Sequence, residues 1–118
     1  MKVLATLLLL TACAAAADDL KGWVSDEQCA RARERSGTYT ATNPECARKC
    51  VGEGKAVVLV SEELKKVFAI ENPDTLKSQV GNLVQVSATT DKSGALHIEK
   101  VQFLETGRAM CGRPKMKQ

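Results

Sequence analysis

"NLVQVSATTDKSGALHIEKVQFLE", residues 82–105, decides the fold class. Its first part alternates strictly: Val84, Val86 and Ala88 on one face, Gln85, Ser87 and Thr89 on the other. That period of two is the pattern of a half-buried strand. Asp91–Gly94 then reads as a hairpin loop, with Gly94 free to adopt positive φ. In the return strand Leu96 and Ile98 point inward, and so do Val101 and Phe103. The parity changes between 98 and 101, so a β-bulge is expected near Glu99 and Lys100.

Working upstream, "NPDTLKSQVG" (72–81) has an Asn-Pro start, Leu76 and Val80 four apart, and Gly81 as a stop. It reads as a short helix. "KAVVLVS" (55–61) is a continuous β-branched run, the signature of a strand covered on both faces, and "KKVFAIE" reads as its partner. Before them, Asn43 and Pro44 open a helix carrying Cys46 and Cys50, which ends near Gly52 or Gly54. Ser25 and Gln28 fit a capping box for an earlier helix through Cys29, stopping near Gly37. "LKGWVSD" (20–26) is a strand candidate.

The order is strand, two helices, two strands, helix, two strands. We read a mainly β, α+β fold: a five-stranded OB-like barrel with a cysteine-bearing helical insertion after the first strand. Closure would remove exposed sheet edges. The expected division is a leader over 1–17, the OB-like domain over 18–107 and a basic tail over 108–118.

The leader reading rests on Lys2, the apolar run Val3–Ala17 and an A-x-A site at Ala15–Ala17. It implies a periplasmic or secreted protein. Leu10-Thr11-Ala12-Cys13 also resembles a lipobox, so a membrane surface enters only if Cys13 is lipidated. Cleavage removes Lys2 from 17 basic residues and leaves 16 against 14 acidic ones. That balance gives no electrostatic footprint for nucleic acid. Aromatics are few, and Phe68 and Phe103 are expected in the core. Trp23 belongs either to the core or to a binding face.

Four cysteines remain after cleavage: Cys29, Cys46, Cys50 and Cys111. An even count in a small exported domain reads first as disulfides. Cys46 and Cys50 lie on one helical face and cannot bridge each other within an unbroken turn. In an antiparallel helical hairpin Cys29 meets Cys50, which leaves Cys46 for Cys111. A thiolate metal site, Cys29, Cys46 and Cys50 around copper or zinc, is the alternative. Thiol redox chemistry ranks third, because C-x-x-x-C is not the C-x-x-C spacing.

Bland readings suffice elsewhere. His97 and Glu99 share a strand face, and no catalytic constellation assembles around one histidine. Arg31, Arg33 and Arg35 run beside Glu27 and Glu34 as a solvated face, with an anion patch including Arg48 and Lys49 as the alternative.

"GWVSDEQC", "ECARKCV", "KAVVLVS" and "VGNLVQVSATTDKSGALHIEKV" together resemble a family of small exported bacterial OB-fold-like domains of unknown function, frequent in soil bacteria. The resemblance covers Gly22 to about Val101. Its more specific part is G-x-V-S-D-x-x-C followed by C-x-x-x-C. It implies a secreted OB-like domain and no established reaction. Relatives often carry a histidine shortly after the first cysteine, where this chain has Arg31 and Arg33. The expected function is a non-enzymatic, disulfide-stabilised binding or interaction module with no cofactor, whose partner is a protein or small ligand.

Overall fold

A computed structural model describes residues 17–41 and 43–107. Residues 1–16, which hold Cys13 and all but the last residue of the expected leader, and residues 108–118, the expected basic tail with Cys111, lie outside the described residues. Five strands form one antiparallel sheet: β1 (Asp18–Asp26), β2 (Val57–Ser61), β3 (Lys66–Ala69), β4 (Asn82–Thr90) and β5 (Leu96–Thr106), in the order β3-β2-β1-β4-β5. Two helices, α1 (Glu27–Arg35) and α2 (Pro44–Gly52), fill the link between β1 and β2. The fold is α+β and mostly β, and the sheet is open. Among the described residues no helix is long and apolar enough to cross a membrane.

β1 is longer than the sequence suggests because it serves two partners. Residues 18–23 pair with β4, and residues 23–26 pair with β2. Trp23 is the hinge between them, opposite both Val60 and Leu83.

The alternation expected of β4 holds. Val84, Val86 and Ala88 are buried in the main core with Val24, Val57, Leu59, Phe68, Leu96 and Ile98. Ala47 of α2 joins this face. The opposite face of β2 and β3 buries Val58, Val60 and Val67 against Ala30 of α1, with Trp23 and Tyr39 packed beside them. Every residue of β2 is therefore buried, as its unbroken apolar run predicts.

The bulge is where parity requires it: Ser87 faces Lys100 but Ala88 faces Ile98, leaving Glu99 as the extra residue. A second bulge at Leu104 was not foreseen, since Leu83 faces Glu105 while Val84 faces Phe103. Phe103 corrects the sequence reading. It is 51% exposed on an edge strand, because none of the described residues covers the far end of β5.

Residues 72–81 also differ from expectation. They form two 3-10 turns, Pro73–Thr75 and Lys77–Gln79, rather than an α-helix. Asn72 caps neither turn. Leu76 and Val80 are nonetheless buried in the main core. Just before this segment, Ile70 makes a single parallel bridge to Leu96, and the Glu71 N–H donates to the Leu96 carbonyl at 2.8 Å.

Candidate functional site

Two places gather chemically active side chains. The first is the root of the helical insertion. Asp26, the last residue of β1, is the N-cap of α1: its Oδ2 accepts from the Cys29 N–H at 2.9 Å. The N-cap is thus Asp26, one residue after the Ser25 the sequence suggested, and Cys29 stands where a capping box would need Glu or Gln. Ser25 still belongs to the ladder, opposite Val58. α2 is capped as expected, with Asn43 Oδ1 accepting from the N–H groups of Glu45 and Cys46. The Arg48 guanidinium then donates to the Val80 carbonyl at 3.1 Å, tying α2 to the end of the 3-10 segment. Arg48 thereby links α2 to the 3-10 segment while remaining exposed.

This arrangement brings the start of α1 to the end of α2. One carboxylate oxygen of Asp26 and the Sγ atoms of Cys29 and Cys50 lie within 4.8 Å of one another. The thiols of Cys29, Cys46 and Cys50 are free. The hairpin juxtaposes Cys29 and Cys50 as the sequence predicts, but without a bond between them. Cys46 is exposed and outside this group, and Cys111 lies outside the described residues. Asp26 takes the third corner that the sequence gave to Cys46. The missed signal was the Asp-x-x-Cys spacing, one helical turn, read only as part of a helix start.

Asp26 is completely buried, and its Oδ1 has no hydrogen-bond partner. The Cys29 thiol is pushed up from its ordinary 9.0 to about 12. Burial is the main cause, followed by the hydrogen bond and negative charge of Asp26 and then by Cys50.

The second place is a cleft of about 390 Å³ on the sheet, lined by Lys21, Gly22, Trp23, Glu62, Glu63, Leu83 and Glu105. Trp23 and Leu83 are direct neighbours across β1 and β4, and Glu105 extends the row on β5. Glu62 and Glu63 come from the β2–β3 turn, which Ser61 shapes by accepting from the Leu64 N–H. Gly22 is required for space, since a Cβ there would stand 2.8 Å from Leu59 Cγ and from the Val60 carbonyl oxygen. Trp23 therefore contributes to the minor core and to a cleft wall at once.

The remaining candidates are engaged in surface pairs. His97 Nδ1 lies 3.6 Å from Glu71, and both side chains are about half exposed, so the contact is a weak surface pair. Arg31 meets Glu34 at 3.2 Å and Glu27 at 4.0 Å, the solvated face expected of α1.

No protein-family model, curated protein or solved structure matches the chain.

Proposed function

We propose that the chain is an exported OB-like binding module whose ligand presents a small cationic group to the Trp23 cleft. The observation that carries this reading is the lining of that cleft: an indole and a leucine, with three carboxylates against one lysine. An ammonium or guanidinium group is attracted to an indole face and to carboxylates together, and desolvation in a cleft strengthens both attractions. A neutral apolar ligand would gain from Trp23 and Leu83 but would leave the three glutamates unused.

The OB-like part of the reading is supported by strand order and by the seam between β3 and β5. The Ile70–Leu96 bridge is the point from which an open sheet of this order would close into a barrel. Export is supported by the charge, apolar run and A-x-A site of residues 1–17. The cleft and the cysteine group have no residue in common. Titration with a small organic cation, followed through Trp23 emission, tests the proposal. Saturable change supports it, and its absence contradicts it.

A further inference from the structure

The geometry points to a metal centre at the root of the helical insertion: Asp26, Cys29 and Cys50 hold one zinc-class divalent cation. This goes beyond the binding reading above and uses none of its residues.

Asp26 is fully buried and its Oδ1 has no hydrogen-bond partner. A buried carboxylate oxygen without a donor is costly, because it has lost water and gained nothing. Its companion Oδ2 is already committed to the Cys29 N–H. A Cys29–Cys50 disulfide would leave Oδ1 as it is, since a disulfide has no proton to donate. A cation held between the carboxylate and the two sulfurs supplies what Oδ1 lacks. The three ligand atoms already lie within 4.8 Å of one another, so modest side-chain adjustment brings them around one ion.

The donor set selects the class of ion. Copper(I) favours sulfur ligands alone, whereas zinc accepts thiolate and carboxylate together. Three protein ligands leave a fourth position for water or an incoming group. On binding, the protons of the two thiols go to solvent.

The framework is also set in advance. Asp26 ends β1, Cys29 lies in the first turn of α1 and Cys50 is in the last part of α2. The cap bond fixes the first two relative to each other. Ala47, one turn before Val51 on α2, anchors that helix in the main core. The exposed Cys46 plays no part.

The test uses the reduced full chain, handled without oxygen, with zinc and cobalt ions as probes. One equivalent of zinc should bind, and cobalt should produce a thiolate charge-transfer band. Loss of an outer partner alone typically weakens metal binding by about 10–100-fold, so Cys50→Ser should weaken it by at least that much and remove most of the band. Asp26→Asn should weaken zinc by a similar factor while keeping α1 capped, because Asn caps as well as Asp. A thermal melt without metal confirms that each variant is folded, and Asp26→Asn decides the matter if Cys50→Ser does not fold. Cys46→Ser should bind as the parent does. Unchanged affinity in Asp26→Asn would overturn the proposal, as would equal loss in Cys46→Ser. So would peptide mapping of the exported protein that finds Cys29 bonded to Cys50.

Discussion

The side chain of Asn72 hydrogen-bonds both backbone groups of Ile98: its Nδ2 donates to the Ile98 carbonyl, and its Oδ1 accepts from the Ile98 N–H, each at 2.8 Å. One amide thus does the work of a neighbouring strand on the free edge of β5. With the Ile70–Leu96 bridge it holds the start of β5 against the segment leaving β3. Asn72→Ala should leave two partly buried backbone groups without partners and cost roughly 1–3 kcal/mol. Urea unfolding of the two proteins measures it. An unchanged midpoint would mean that water replaces the amide at no cost.

Gly81 separates two effects that a single substitution normally mixes. Its φ is +91°, its N–H donates to the Val24 carbonyl at 2.8 Å, and a Cβ there would collide with Pro44. Gly94 has a similar φ of +88° but open space around it. Gly94→Ala should therefore cost about 1–2 kcal/mol, the strain of left-handed backbone alone. Gly81→Ala should cost more, because α2 must also retreat from the sheet. Equal melting temperatures for the two variants would contradict that packing.

The three described thiols should differ in reactivity. Cys46 is exposed, whereas Cys29 is half-buried and holds its proton to about pH 12. Iodoacetamide should label Cys46 first and Cys29 last in the reduced, metal-free protein. The same shift fixes a pH dependence. The folded state keeps the Cys29 proton where the unfolded chain, at 9.0, has lost it. Its contribution to stability is complete below about pH 9 and is lost as pH rises towards about 12. Urea midpoints that rise across that range would contradict the assignment.

The parts of the fold legible in the sequence are those set by local rules. Val84, Val86 and Ala88 announce their face by period two. The parity change after Ile98 places the first bulge, and Asn43-Pro44 places the start of α2. What was not legible depends on partners distant in sequence. Residues 72–81 look helical, but the amide of Asn72 is drawn to Ile98 instead of capping, and the turn tightens to 3-10. Phe103 keeps the inward parity of its strand, opposite the core residue Val84, yet is left half-exposed. For the site, the meeting of Cys29 with Cys50 followed from a helical hairpin. Asp26 did not, because its burial is created by β2 and α2 packing around it. The Trp23 cleft likewise depends on Leu83 and Glu105, which share no local pattern with residue 23.

Trp23 is the sole tryptophan of the chain, so its emission reports on the cleft without interference. The most direct measurement is a fluorescence titration of the reduced full chain with spermidine or arginine amide at low ionic strength. A cation that enters the Trp23 cleft should produce a saturable change in emission. That change should weaken as salt is added and be sharply reduced when Glu62, Glu63 and Glu105 are replaced together by Gln. Emission that stays flat with cations, or a response equally strong in the triple variant, would contradict it.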